Sequence, residues 1–103
     1  NGLLFTSGQI AINPKTNQIE ATAIEEQTKQ VMENLKALLA ASNASFDKVV
    51  KTTIFLKDMN TFGTVNEIYG SYFANHKPAR STVEVARLPK DVLIEIELIA
   101  KID

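Results

Sequence analysis

Hydrophobic and polar residues alternate over much of the last quarter of this chain, which predicts β-strands with two different faces. In the last stretch one face is apolar and consists of Ile94, Ile96, Leu98 and Ala100. The opposite face of that stretch carries two carboxylates, Glu95 and Glu97. In the stretch before it, Arg80 and Thr82 share one face, and a Leu-Pro-Lys-Asp turn joins the two predicted strands. Because charges on a sheet are costly unless they are paired, solvated or functional, these polar positions are candidates for a site.

Two stretches with helical periodicity precede these strands. The first begins at Thr22, which forms a capping-box pattern with Glu25, and is expected to end near Ala41. Its apolar side consists of Ile24, Val31, Leu35, Leu38 and Leu39. The second runs from about Thr61 to Asn75 and is ended by Pro78. Its apolar side consists of Phe62, Val65, Tyr69, Tyr72 and Phe73.

The remaining strands are predicted at the N-terminus and between the helices. Leu3 to Ser7 is a short apolar strand, and Ile19-Glu20 is at best a short one. In the strand from Val49 to Lys57, one face consists of Val50, Thr52, Ile54 and Leu56. Two helices can cover only one face of a sheet of about five strands, so the order of elements predicts an α+β fold, a two-layer sandwich with a mixed sheet.

The uncovered face of this sheet predicts association between chains. It is expected to carry four polar and three apolar side chains, namely Arg80, Thr82, Glu95, Glu97, Leu93, Val49 and Phe55. Such a face is too apolar to be left in water and too charged for an ordinary core. We therefore expect a homo-oligomer whose subunit interfaces contain the polar residues.

Composition excludes several classes of protein. A chain of 103 residues is expected to form a single domain over residues 1–103. Twelve acidic and eleven basic residues, the latter scattered, argue against a nucleic-acid partner. No apolar run is long enough to span a bilayer, so no membrane partner is expected. Cysteine is absent, which fits a reducing, cytoplasmic location, and a metal cluster would depend on His76 alone. The chain starts without methionine at an Asn1-Gly2 turn, so we expect that an N-terminal segment is missing.

Three segments together resemble the RidA family, also called the YjgF family, of reactive intermediate deaminases. They are Thr6-Ser7-Gly8-Gln9-Ile10 with Asn13-Pro14, Val65-Asn66-Glu67-Ile68-Tyr69, and the run from Pro78 to Glu97. The resemblance implies a chorismate-mutase-like fold and a homotrimer with a pocket at each subunit interface. It also implies hydrolysis of 2-imino or enamine acids, such as 2-iminobutanoate and 2-iminopropanoate, to 2-keto acids and ammonia. That reaction requires no metal and no cofactor.

The resemblance also implies roles for individual residues. The carboxylate-binding arginine of the family falls on Arg80, and the acid that orders the attacking water falls on Glu95. Ser7, Gly8 and Asn66 fall on positions that line the pocket. Thr82 stands where relatives usually carry cysteine, and it is expected to offer its backbone N–H to the substrate carboxylate. A tyrosine that relatives contribute from an N-terminal Gly-Pro-Tyr segment has no counterpart in this sequence.

Other interpretations remain open on the sequence alone. Arg80 and Glu95 could form a cross-strand ion pair without any ligand. The chain could be a non-catalytic trimer that binds 2-keto acids or other carboxylates and regulates a partner protein. RNA-directed activity is disfavoured by the net charge of −1, and chorismate mutase activity would rest on fold analogy alone.

Overall fold

A computed structural model describes residues 2–102 of the chain, so the predicted Asn1-Gly2 turn lies partly outside the described residues. Its main sheet has four strands: β1 (Gly2–Phe5), β4 (Val49–Leu56), β5 (Ala79–Glu84) and β6 (Ile94–Ile102). Their order across the sheet is β1-β6-β4-β5. The β4–β5 pair is parallel and the other two pairs are antiparallel, which confirms the predicted mixed sheet.

The sequence predicted about five strands in one sheet, and the structure corrects this number. Two further strands, β2 (Ile12–Asn13) and β3 (Gln18–Ile19), form a separate two-stranded sheet. The turn between them uses Asn17 at φ 59°, a left-handed conformation that asparagine tolerates. The small hairpin therefore stands apart from the main sheet.

Two helices pack on one face of the main sheet and confirm the α+β class. Helix α1 (Ile24–Ala41) and helix α2 (Phe62–Ser71) both contribute to the core. The side of α1 that is buried consists of Gln27, Thr28, Val31, Met32, Leu35 and Leu39. The predicted Thr22–Glu25 capping box is wrong by one residue, because Glu26 Oε1 accepts from the backbone N–H of Ala23 at 3.4 Å.

The two C-terminal strands are not neighbours, although the sequence suggested that a turn pairs them. Strand β4 lies between β5 and β6. Because β5 runs parallel to β4, it must be reached by a crossover, which α2 supplies. The connection after β5 contains a short 3₁₀ turn (Pro89–Asp91) and spans the width of β4 before β6 begins.

The register also corrects the predicted faces of the sheet. Arg80 is opposite Thr52 and Thr82 is opposite Ile54, so both side chains project from the helix-covered face. Glu95 is opposite Phe55, on the face that the helices leave open. The prediction that Arg80, Thr82, Glu95 and Glu97 share one face is therefore wrong.

A bulge in β4 changes one further prediction. The register of β4 against β6 shifts between Val49 and Lys51. As a result Val49 is fully buried in the core, whereas Val50 is 46% exposed. The two residues thus exchange the faces that strict alternation assigns to them.

The open face of the sheet is strongly apolar along its edges. Phe5 is 67% exposed, Leu3 is 55% exposed and Val83 is 42% exposed. Phe5 and Leu3 are opposite Ile99 and Lys101 of β6, on the face opposite the core. Among residues 2–102, no helix is long and apolar enough to cross a membrane.

Candidate active site

Arg80 lies at the edge of a cleft between β5 and α2. Its guanidinium carbon is 5.1 Å from the ring centroids of both Phe62 and Tyr69. Its Nη1 donates a hydrogen bond to Asn66 Oδ1 at 2.6 Å. These contacts fix the plane of the guanidinium and use one of its five N–H donors. Arg80 forms no ion pair with any of residues 2–102, so its remaining donors are free to bind an anion.

The cleft beside Arg80 has a volume of about 400 Å³. Volumes of about 300–1,000 Å³ are typical of small-molecule sites. The cleft is lined by Asn66, Tyr69, Gly70, Phe73, Lys77, Pro78 and Arg80. Two predicted site residues, Asn66 and Arg80, thus meet in one concave site.

Tyr69 connects the Arg80 guanidinium to the buried core. Its hydroxyl and the Thr52 Oγ1 form a buried hydrogen bond of 2.7 Å. Burial raises the pKa of Tyr69, so the phenol stays neutral beside the arginine. Helical spacing predicted Tyr69 and Phe62 only as core residues, whereas both rings also contact Arg80. Their spacing around Asn66 (four and three residues) places all three on one side of α2, which was a usable signal.

Thr82 lies two residues after Arg80 on the same face of β5. Its Oγ1 is buried and has no hydrogen-bond partner among residues 2–102. An unsatisfied buried hydroxyl costs about 1–3 kcal/mol. The cleft lining does not include Thr82, so its side chain lies outside the cleft beside Arg80.

Glu95 and Gly8 form a second cluster of predicted site residues. A Cβ at position 8 would overlap Glu95 Oε2 and would lie 2.7 Å from Glu95 Cδ. Only glycine leaves room for the carboxylate there. Ser7 precedes this position and is exposed. The segment is held to β6 by two backbone hydrogen bonds between Gln9 and Ile96, of 2.8 and 3.0 Å.

The carboxylate of Glu95 has an unusual electrostatic environment. Partial burial raises its pKa above the ordinary value for glutamate, and the charge of Glu97 raises it further. The carboxylate of Glu95 forms no hydrogen bond with any of residues 2–102. Its oxygens are therefore free to accept hydrogen bonds from a water molecule or a ligand.

Two side-chain amides of α1, one buried and one half-buried, hold the segments around Glu95 and Gly8. Asn34 Nδ2 donates to the carbonyl oxygen of Ile12 at 2.8 Å. Gln27 Oε1 accepts from the backbone N–H of Leu93 at 2.8 Å, next to the start of β6. The same helix thus fixes the segment that follows Gly8 and the strand that carries Glu95.

The predicted site residues form two groups on opposite faces of the sheet. Arg80 lies on the helix-covered face next to Asn66 of α2, whereas Glu95 and Gly8 lie on the open side. The ion pair between Arg80 and Glu95 that the sequence left open does not form, because β4 separates their strands. Within residues 2–102 the salt bridge is that of Arg87 with Asp91, at 2.7 Å. The described part of the chain contains no group of three acidic or histidine side chains that could hold a metal ion.

Comparison with known proteins assigns the chain to a family. The model of the Endoribonuclease L-PSP family matches residues 1–102. A RutC family protein from Pyrococcus horikoshii is 58% identical over 97 residues, which are 94% of this chain and 77% of that protein. The 2-iminobutanoate/2-iminopropanoate deaminase of Escherichia coli is 50% identical over 101 residues, which are 95% of this chain and 78% of that protein.

A solved structure agrees with the sequence comparisons. The crystal structure of Escherichia coli TdcF with bound serine superposes with a TM-score of 0.91 at 44% identity, and the match covers 98% of this chain and 81% of that one. A family match over nearly the whole chain, together with identities of 50% and more, establishes common ancestry. The chain therefore belongs to the Endoribonuclease L-PSP family, the RidA (YjgF) family that its sequence resembles.

Proposed function

We propose that this protein is a hydrolytic deaminase that converts 2-imino acids, such as 2-iminobutanoate and 2-iminopropanoate, to 2-keto acids and ammonia. The observation that carries the proposal is the free, fixed guanidinium of Arg80 at the edge of the cleft. A planar guanidinium binds a carboxylate through two parallel N–H···O bonds, which lysine cannot do. Arg80 therefore binds the substrate carboxylate, and Asn66 keeps the guanidinium in orientation.

Glu95 supplies the second part of the chemistry. A protonated imine is already electrophilic at C2, so water can attack it without a covalent nucleophile. Glu95 accepts a hydrogen bond from that water and orients it, and its raised pKa makes it a better proton acceptor than an ordinary glutamate. The C–O bond forms at C2, the C–N bond of the resulting carbinolamine breaks, and ammonia leaves. The process consumes one water and involves no redox change.

The separation of the two groups favours a site shared between chains. A substrate of three or four carbons cannot touch Arg80 and Glu95 of the same chain, because they lie on opposite faces of the sheet. In the proposed homotrimer with a chorismate-mutase-like arrangement, Arg80, Asn66 and the backbone of Thr82 come from one subunit. Gly8, Ser7 and Glu95 come from its neighbour. The apolar open face, with Phe5 and Val83 exposed, is the surface that such association would bury.

The names of relatives support a small carboxylate as the ligand. One relative is named for 2-iminobutanoate and 2-iminopropanoate, and another was solved with bound serine. All three compounds carry a carboxylate beside a nitrogen-bearing C2. RNA cleavage, which the family description names, is disfavoured here by a net charge of −1 and scattered basic residues.

The test is the release of ammonia and keto acid from freshly generated 2-iminopropanoate. An amino-acid oxidase produces the imine from alanine, and semicarbazide trapping measures how fast the imine disappears. The wild-type chain should accelerate hydrolysis, and the Arg80→Ala variant should not. If a folded wild-type oligomer leaves the imine lifetime unchanged, the deaminase proposal is wrong, and carboxylate binding by a regulatory protein becomes the better explanation.

A further inference from the structure

A second cation lines the cleft beside Arg80 and has no role in the reaction proposed above. Lys77 lies three residues before Arg80, and both side chains line the same cleft. Lys77 forms no hydrogen bond or ion pair with any of residues 2–102, whereas Lys51 and Lys57 each donate to an oxygen. Its ammonium group is therefore free to attract a ligand.

The charge of the cleft is entirely positive. Of the residues that line it, two are cationic and none is acidic. Glu67, which follows the lining residue Asn66 on α2, is not among the lining residues. Monocarboxylate substrates carry one negative charge, which Arg80 already balances. One positive charge is left for the part of the substrate that points away from C2.

The cleft also has space for a longer side chain. At about 400 Å³ it lies within the range of sites that hold molecules considerably larger than a three-carbon acid. Phe73 and Tyr69 provide an apolar wall against which methylene groups can pack. A chain of one or two methylenes would then lead from C2 towards the Lys77 ammonium.

We propose that Lys77 determines a preference for 2-imino dicarboxylates, in which Arg80 binds the carboxylate next to C2 and Lys77 binds the carboxylate of the side chain. This inference rests on the deaminase activity proposed above and names its substrate class. The reaction is unchanged: water adds at C2, the C–N bond breaks and ammonia leaves. Lys77 attracts the second carboxylate and takes no part in bond making.

The first measurement compares two imines, generated by oxidases from glutamate and from alanine. The quantity is the ratio of kcat/KM for the dicarboxylate to kcat/KM for the monocarboxylate. Because exposed ion pairs contribute about 0.2–1 kcal/mol, Lys77→Met should lower this ratio about 1.4- to 5-fold. Lys77→Glu should lower it further, because repulsion replaces attraction. Lys36→Met removes the same charge from an exposed position on α1 and should leave the ratio unchanged.

The second measurement does not need turnover. Titration calorimetry with 2-oxoglutarate and pyruvate compares binding of the stable keto acids to the full chain and to the same variants. Tighter binding of 2-oxoglutarate that weakens about 1.4- to 5-fold in Lys77→Met supports the inference even if no imine is hydrolysed, in which case the deaminase proposal alone fails. The opposite outcome is that both substrates are hydrolysed while Lys77→Met and Lys77→Glu change neither the ratio of kcat/KM values nor the ratio of the two binding constants. In that case the deaminase proposal stands and Lys77 has no role in specificity.

Discussion

Arg80 Nη1 donates a 2.6 Å hydrogen bond to Asn66 Oδ1 and thereby joins the edge strand β5 to α2. The bond leaves the other N–H groups of the guanidinium available and sets the plane in which they point. Arg80 is thus prepared to bind a planar anion before any ligand arrives. Every prediction about substrate binding follows from this orientation.

Replacing Arg80 by lysine keeps the charge and removes the planar fork. Hydrogen bonds to charged groups contribute about 1.5–3 kcal/mol, so the loss of bidentate binding should raise KM for 2-iminopropanoate about 10- to 100-fold. Steady-state kinetics measure this change. Arg87→Lys is the control, because Arg87 pairs with Asp91 at an exposed position and should leave KM unchanged. A normal KM in Arg80→Lys would mean that charge alone holds the carboxylate.

Replacing Glu95 by glutamine should lower kcat and leave the fold intact. A positioned general base contributes about 10²- to 10⁴-fold, and the amide retains the size of the side chain but not the basicity. The raised pKa of Glu95 means that its ionised form is disfavoured in the folded state. Stability is therefore lost as pH rises through that pKa, and Glu95→Gln should not lower the melting temperature at neutral pH. An unchanged kcat would remove Glu95 from the mechanism.

Glu97 should shift the acid limb of the pH profile, which the pKa of Glu95 sets. Glu95 must be ionised to take a proton from the attacking water, so kcat falls as pH falls through its raised pKa. The charge of Glu97 contributes to that raised pKa, after burial. Glu97→Gln should therefore move the acid limb to lower pH, whereas Glu25→Gln at an exposed position on α1 should not move it. A shift to higher pH would contradict the repulsion between the two carboxylates.

Gly8→Ala should displace the Glu95 carboxylate. The added Cβ would overlap Oε2, and the flexible carboxylate is the group that can move. Gly8 does not have a positive φ, so the substitution adds no backbone strain. We expect a loss of kcat that approaches that of Glu95→Gln, with little change in melting temperature. Gly63→Ala is the control, since a Cβ there meets nothing within 4 Å. Full activity in Gly8→Ala would show that the position of the carboxylate does not matter.

A charge on the open sheet face should dissociate the proposed trimer. Val83 is 42% exposed on this face, opposite Phe55 in the register of β5 with β4. Burying an unpaired lysine at a subunit interface is unfavourable, so Val83→Lys should convert the proposed trimer to monomers and abolish hydrolysis together. Light scattering after size exclusion measures the mass. A wild-type chain that is monomeric at high concentration would contradict the shared site.

The secondary structure was predictable because the hydrophobic residues of each helix and strand repeat with the period of that element. The alternation from Ile94 to Ala100 and the helical spacing of Val65, Tyr69 and Phe73 reflect which side chains leave water, and the structure buries those residues. Strand ends and caps were less certain, as the capping of α1 by Glu26 shows. Local patterns therefore determined the elements and the α+β class.

Which side chains meet was decided only by the tertiary structure. The sequence places Arg80 and Glu95 on consecutive strands, but the crossover through α2 makes β5 parallel to β4 and puts β4 between them. The register then turns Arg80 towards α2 and Glu95 towards the open face. Strand pairing and register depend on contacts between residues far apart in the chain, and the local hydrophobic pattern does not specify those contacts. The sequence by itself determined the chemistry that the chain carries and the elements that hold it. The sheet order decided that this chemistry is divided between two faces.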